Sequence, residues 1–73
     1  MIKIIENDIF RGREKIGYIR GNDIFNVGGK KIGYYVGDEI YNYKGAKIGY
    51  LENNHIKYEN GNRKISFQET KNH

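Results

Sequence analysis

Isoleucines and aromatic residues alternate with polar residues in short runs, and these runs recur along the chain at a nearly fixed spacing. The tetrapeptide Lys-Ile-Gly-Tyr occurs at 15–18, 31–34 and 47–50, and a fourth copy reads Lys-Ile-Ser-Phe at 64–67. A shorter segment precedes each copy, at 8–10, 23–25, 39–41 and 55–57. Self-similarity at a fixed period is the signature of repeated structural units. The pattern predicts four units, at about residues 7–20, 21–36, 37–52 and 53–67.

Each unit is predicted to be a β-hairpin. Isoleucine and aromatic residues favour strands, and glycine-bearing segments separate the two halves of each unit. One of them is Asn60-Gly61, which tolerates the positive φ of a tight hairpin turn. The ten glycines interrupt every helical period, and the absence of proline leaves strand pairing unhindered. We therefore expect an all-β fold of eight or nine short strands in a meander, without a helix.

The two ends of the chain differ from the repeats. Residues 1–5 are mostly β-branched and are predicted to supply an extra or closing strand, whereas residues 68–73 are polar and are predicted to form a tail. Residues 1–67 would then form a single domain. A chain of 73 residues buries only about 60% of its unfolded surface. Regular packing or self-association therefore has to stabilise it.

Alternation within the strands predicts which residues form the core. In each second strand the isoleucine and the aromatic residue share one side, and the glycine between them points the other way. Repeated glycines in strands mark close approaches of neighbouring backbones, which favours four equivalent hairpins around a pseudo-four-fold axis. The predicted core residues are Ile9, Ile16, Tyr18, Ile24, Ile32, Tyr34, Ile40, Ile48, Tyr50, Ile56, Ile65 and Phe67.

This arrangement resembles the four-fold β-flower domain of bacteria. The similarity lies in four tandem units, each with an Ile-aromatic strand, a glycine turn and an Ile-Gly-Tyr strand, as in Ile9-Phe10 followed by Ile16-Gly17-Tyr18. The fourth unit departs from the pattern at Lys57 and Ser66. The resemblance implies a compact, four-petalled all-β structure, and it carries over no catalytic residue.

A column of lysines is the clearest candidate binding site. Under four-fold symmetry these lysines would form a ring on the glycine side of the second strands and could hold a phosphate or a nucleic-acid backbone. The net charge of +4 agrees with such a partner, but AT-rich codon usage would raise the lysine content equally well. The alternative is four separate solvated lysines that discourage edge-to-edge aggregation. The column consists of Lys15, Lys31, Lys47 and Lys64.

Aromatic residues outside the predicted core form a second candidate surface. They would provide a second core layer or a dimer interface, and flanking arginines and lysines would also suit stacking on single-stranded bases. The candidate interface residues are Phe10, Phe25, Tyr35, Tyr41 and Tyr43.

Candidate chemistry for catalysis is sparse. Asp8, Asp23 and Glu39 align across the units, beside turns whose backbone N–H groups aspartate often binds. The chain has no cysteine and only two histidines, His55 and His73, so neither a disulfide nor a zinc site is expected. No nucleophile with a base and no phosphate-binding loop is recognisable. We expect no enzyme, no catalytic residue and no cofactor.

These observations favour a small non-enzymatic protein that binds a protein partner or itself. The alternative is a nucleic-acid or polyanion binder that uses the lysine column and arginine-flanked aromatics. No segment approaches the roughly 20 apolar residues of a membrane span, and residues 1–5 are too few for the apolar region of a signal peptide. We therefore expect a cytoplasmic protein without a membrane partner.

Overall fold

The computed structural model describes residues 2–59, which form eight antiparallel strands. Each strand pairs with the next, and the last pairs with the first, so the sheet closes into a barrel. The strands are β1 (Ile2–Ile5), β2 (Asp8–Arg11), β3 (Glu14–Arg20), β4 (Asp23–Asn26), β5 (Lys31–Val36), β6 (Glu39–Asn42), β7 (Lys47–Glu52) and β8 (His55–Tyr58). The predicted all-β meander is confirmed. Residues 2–59 contain no helix long and apolar enough to cross a membrane.

Two-residue turns connect the repeated units at 6–7, 21–22, 37–38 and 53–54. The first residue of each turn has a φ between 52° and 63°, in the left-handed region, and these residues are Glu6, Gly21, Gly37 and Asn53. Such turns match the right-handed twist of the strands they join. The predicted Asn60-Gly61 turn and the Lys64–Phe67 copy lie outside the described residues.

One backbone hydrogen bond recurs four times around the barrel. In each case the carbonyl of the second turn residue accepts a hydrogen bond from the N–H of a residue two strands further along the barrel. The carbonyl of Asn7, between β1 and β2, accepts from Ile19 in β3, for example. The four bonds are Ile19 to Asn7 at 2.8 Å, Tyr35 to Asn22 at 2.9 Å, Leu51 to Asp38 at 2.7 Å and Ile4 to Asn54 at 2.7 Å. β1 therefore occupies, in the fourth unit, the position that β3, β5 and β7 occupy in the first three.

A β-bulge in each of the first three hairpins decides which residues face inward. In the first hairpin, Ile9 lies opposite Gly17 and the next residue lies opposite Lys15, so Ile16 has no partner in β2. The same register shift occurs in the second and third hairpins. An inserted residue breaks strict alternation, and Ile16 and Gly17 are accordingly both buried. The predicted separation of isoleucine and glycine onto opposite faces is wrong.

The core therefore consists almost entirely of isoleucine. Ten isoleucines are buried: Ile2, Ile4, Ile9, Ile16, Ile19, Ile24, Ile32, Ile40, Ile48 and Ile56. The seven predicted core isoleucines among residues 2–59 are confirmed by this burial. The predicted core tyrosines are not, because the bulge turns them outward: Tyr18 and Tyr34 are only partly buried, and Tyr50 is 37% exposed. Predicted core residues Ile65 and Phe67 lie outside the described residues.

Gly49 shows why the second strand of the third unit, β7, has glycine after its isoleucine. A Cβ atom at this position would overlap the carbonyl oxygen of Lys57 and lie 3.0 Å from the Cα of Tyr58, both in the neighbouring strand β8. The predicted close approach of backbones is confirmed here. Only a residue without a side chain lets β7 and β8 pair at this distance.

Candidate functional site

The outer face of each of the first three hairpins carries an acidic residue and a lysine that meet across the strands. In the first hairpin Lys15 Nζ lies 3.1 Å from Asp8 Oδ1. In the second, Lys31 Nζ lies 3.0 Å from Asp23 Oδ1. The acidic residues were expected to bind turn backbone, and the structure instead places their carboxylates beside the lysine ammonium groups. The two repeated columns of charge therefore form pairs.

The third hairpin extends this pairing into a small network. Lys47 Nζ lies 3.6 Å from Glu39 Oε2 and 3.5 Å from Glu59 Oε2. Partial desolvation alone would lower the pKa of Lys47, but the two carboxylates outweigh it and raise the pKa above its ordinary value. The hydroxyl of Tyr41 donates a hydrogen bond to Glu39 Oε1 at 3.0 Å. That hydrogen bond is the largest cause of the raised pKa of Tyr41, and burial adds to it.

This pairing changes what the lysine column offers a ligand. The lysines lie on the outer face with the aromatic residues, and the prediction that they lie on the glycine side is wrong. The bulge adds one unpaired isoleucine between each lysine and the following glycine, so the two residues face opposite sides of the sheet. This holds for Lys15, Lys31 and Lys47. Each of their ammonium groups has a carboxylate within 3.6 Å. An anion that bound here would have to compete with those carboxylates. Lys64 lies outside the described residues.

The outer aromatic residues stack across the seams between units. The rings of Tyr18 and Phe25 are 5.1 Å apart and inclined by 8°. The rings of Tyr34 and Tyr41 are 5.3 Å apart and inclined by 9°. Phe10, directly opposite Lys3, is partly buried. Of the candidate interface residues, Phe10, Phe25 and Tyr41 thus form part of a second layer outside the isoleucine core.

The other two candidate interface residues differ sharply in exposure. Tyr35 packs against the core and donates a hydrogen bond from its hydroxyl to the carbonyl of Gly21 at 3.0 Å. Tyr43 is 64% exposed, and the Lys44 ammonium lies 5.7 Å from its ring centre. Val27, the equivalent residue of the preceding unit, is 56% exposed. We call Val27 and Tyr43 the turn surface.

Two asparagines, which the sequence pattern did not single out, hold the turn surface in place. Asn26 is 2% exposed, and its Oδ1 accepts a hydrogen bond from the N–H of Lys30 at 3.0 Å. Asn42 Oδ1 accepts from the N–H groups of Lys44 at 2.9 Å and Ala46 at 3.0 Å. Each asparagine follows the Ile-aromatic pair of its unit, and this shared position in the second and third units is the signal that would have identified them.

The described residues show no arrangement suited to metal binding. Within residues 2–59 no three histidine, aspartate or glutamate side chains lie close enough together to hold a metal ion. In that same part of the chain, every buried side-chain nitrogen or oxygen has a hydrogen-bond partner. The outer surface of residues 2–59 therefore offers paired charges, stacked rings and exposed apolar side chains, among them those of the turn surface.

Comparison with known proteins identifies one family. A family model described as "4-fold beta flower protein" matches residues 10–73. The match spans all four repeats except the beginning of the first, and it leaves out β1. No curated protein and no solved structure matches the chain.

Proposed function

The chain belongs to the 4-fold beta flower family, and from this premise we propose that it is a small, non-enzymatic module that binds protein partners and associates with itself. The family description assigns no activity, so the proposal depends on the surface. The observation that carries it is the turn surface: two apolar side chains at equivalent positions in neighbouring units, 56% and 64% exposed.

The turn surface is suited to association for two physical reasons. Tyrosine is enriched among the residues that contribute most binding energy at protein interfaces, because it buries a large area and keeps a polar tip. The turns that carry Val27 and Tyr43 are already ordered by Asn26 and Asn42. A rigid turn loses little conformational entropy on binding, so more of the contact energy contributes to affinity.

Sedimentation equilibrium over a wide range of protein concentrations tests self-association. We expect the parent protein to dimerise and Tyr43→Ser to weaken the dimer by about tenfold or more, as for a residue central to an interface. Val36→Ser is the matched control, because Val36 is 60% exposed but lies at the opposite end of β5 from the turn that carries Val27. A parent that stays monomeric, or equal effects of both substitutions, would contradict self-association through the turn surface.

Nucleic-acid or polyanion binding is the second candidate function. The observation in its favour is that cations and rings lie together on the outer face: Arg20 is 5.9 Å from the ring centre of Tyr18, and Lys31 is 5.7 Å from that of Tyr34. The carboxylates beside the lysines weigh against it. A fluorescence-anisotropy titration with single-stranded RNA, single-stranded DNA and heparin, at low and physiological salt, tests the idea.

Two results of that titration would support polyanion binding. Affinity should fall steeply with salt, because counterions are released on binding. The double variant Lys31→Ala/Lys47→Ala should bind more weakly than the parent. Equal affinities of parent and double variant, or no binding at low salt, would exclude the lysine column as the binding site.

A further inference from the structure

The two ends of the barrel carry opposite charges. Consecutive strands run in opposite directions, so the turns within units lie at one end and the turns between units lie at the other. Each hairpin turn among residues 2–59 has a basic residue, and these residues are Arg13, Lys30 and Lys44. Three of the four turns between units have an acidic residue in them or directly before them, and these are Glu6, Asp38 and Glu52. We call the two sets of residues the basic end and the acidic end.

The charges at both ends are available to a partner. All six residues are exposed, and none of the six has an ion-pair partner within residues 2–59. The turn surface lies at the basic end, because Val27 shares a turn with Lys30 and Tyr43 directly precedes Lys44. The basic end therefore combines exposed apolar side chains with unpaired positive charge.

This charge argues against a contact between two turn surfaces. In an isologous interface both copies present the same patch, so Lys30 and Lys44 of one copy would face the same two lysines of the other. Like charges that oppose each other across an interface are unfavourable. The acidic end of the same chain offers the opposite charge. A head-to-tail contact of the basic end with the acidic end therefore satisfies both sets of charges.

The order of the turns around the barrel selects one rotation for this contact. Four units allow four rotations of one copy on the next, and the strand order fixes which turns then meet. The turn at 21–22 follows Arg20, so three of the rotations oppose Arg20 and a cation of the basic end. The remaining rotation places an acidic residue against each of the three cations. Its pairs are Lys44 with Glu6, Lys30 with Glu52 and Arg13 with Asp38.

We propose that the turn surface binds the acidic end of a second copy, head to tail, in this rotation. The inference rests on the proposed function, because it specifies the partner in self-association. In this contact Tyr43 meets Ile5, the residue before Glu6, which is 49% exposed. Tyr43 and Lys44 thus find an apolar and an acidic side chain that are also neighbours in sequence.

A head-to-tail contact has two consequences for assembly. Each added copy leaves one basic end and one acidic end free, so a dimer is only the first step of an open series along one axis. Val36 lies before the turn that meets Gly12 and Arg13, which carry no apolar side chain. Val36 therefore gains no apolar contact in this rotation, and Val36→Ser remains a control for Tyr43→Ser.

Exchange of charges between paired positions tests the rotation. Glu6→Lys should weaken self-association about tenfold or more in sedimentation equilibrium, because it opposes Lys44 of the neighbouring copy. Adding Lys44→Glu should restore the parent affinity, because the same pair forms with its charges exchanged. Asp38→Lys/Lys44→Glu is the matched control, with the same net charge as the exchanged variant. It opposes like charges at two contacts and should associate more weakly than Glu6→Lys.

Mixing two variants tests the head-to-tail geometry. Tyr43→Ser/Lys44→Glu disables the basic end, and Glu6→Lys/Asp38→Lys disables the acidic end, so neither variant should self-associate. An equimolar mixture should form a dimer and stop there, because one intact end of each variant remains. Both variants keep a positive net charge, so attraction between opposite net charges does not explain such a dimer. The parent should instead grow beyond a dimer as its concentration rises.

The results distinguish this contact from self-association in general. A parent that stays monomeric would contradict both. A parent that associates, and that Tyr43→Ser weakens while Glu6→Lys does not, would leave the proposed function standing and overturn the head-to-tail contact. An exchanged variant as weak as Glu6→Lys, or a mixture that stays monomeric, would also overturn it.

Discussion

Gly49→Ala tests whether close backbone approach determines the architecture of this barrel. The added Cβ would overlap the carbonyl oxygen of Lys57 and lie 2.9 Å from its carbonyl carbon and 3.0 Å from the Cα of Tyr58. All three atoms belong to the backbone of β8, so no side-chain rotation relieves the contact. β7 and β8 would have to separate where Gly49 pairs with Tyr58.

The magnitude follows from that separation. Overpacking of a well-packed interior costs about 1–3 kcal/mol, and each weakened backbone hydrogen bond costs about 1 kcal/mol more. The Glu59 N–H to Ile48 carbonyl bond, at 2.9 Å, lies beside the contact and is the first to lengthen. Against this, replacing glycine by alanine in a strand gains about 0.5–1 kcal/mol. We expect a net loss of about 2–3 kcal/mol in the free energy of unfolding.

Urea unfolding followed by circular dichroism measures this loss, and thermal unfolding should show a drop of about 10–20 °C in Tm. Gly12→Ala is the matched control, since its Cβ would meet nothing within 4 Å but its φ is +63°. That variant bears only left-handed backbone strain, about 1–2 kcal/mol. Gly49→Ala as stable as the parent, or more stable than Gly12→Ala, would refute the argument from backbone overlap.

Three further predictions concern the hydrogen bonds and charges of the described barrel. Asn26→Ala should lower the free energy of unfolding by about 1–3 kcal/mol, because the Lys30 N–H loses its acceptor at a part-buried site. Asp23→Asn should cost less than about 1 kcal/mol, because its pair with a lysine is half exposed and screened by salt. Tyr41→Phe should make the free energy of unfolding fall less steeply with rising alkaline pH than it does in the parent. The raised pKa of Tyr41 stabilises the fold fully below the ordinary tyrosine value of about 10, and this contribution is lost as pH rises through the folded-state pKa.

Urea midpoints measure all three predictions, the last of them as a series from about pH 8 to about pH 11. An Asn26→Ala variant with the parent midpoint would mean that the turn does not depend on its side-chain hydrogen bond. A loss well above 1 kcal/mol for Asp23→Asn, unchanged by salt, would contradict the assignment of a screened surface pair. The same pH dependence in Tyr41→Phe and the parent would show that the hydrogen bond to Glu39 does not stabilise the fold.

The repeated motif predicted most of the local structure. A period of 16 or 17 residues indicated four units. The first three tetrapeptide copies lie in β3, β5 and β7, as the second strands of their predicted hairpins. The isoleucines could be assigned to the core because their positions are the most constant in each unit. The family match confirms the resemblance to the four-fold β-flower domain, from which the four-petalled architecture was expected.

The candidate site was less predictable, because its geometry depends on strand register. Lys15 and Asp8 are seven residues apart in the sequence, and only the bulge at Ile16 brings their side chains to the same outer face. A strict alternation of faces assigned the lysines to the glycine side and Tyr18 to the core. One extra residue in the ladder reverses both assignments.

The sequence by itself determined the repeat, the strands and the turns of this protein, because those depend on residues that are near neighbours along the chain. Tertiary structure alone decided which face each side chain occupies and which segment closes the ring. β1 lacks the Lys-Ile-Gly-Tyr motif and still takes the fourth closing position, with Ile4 bonded to Asn54. The physical reason is that a strand edge is satisfied by any backbone N–H and C=O groups that reach it. Closure therefore depends on distant geometry more than on a local motif.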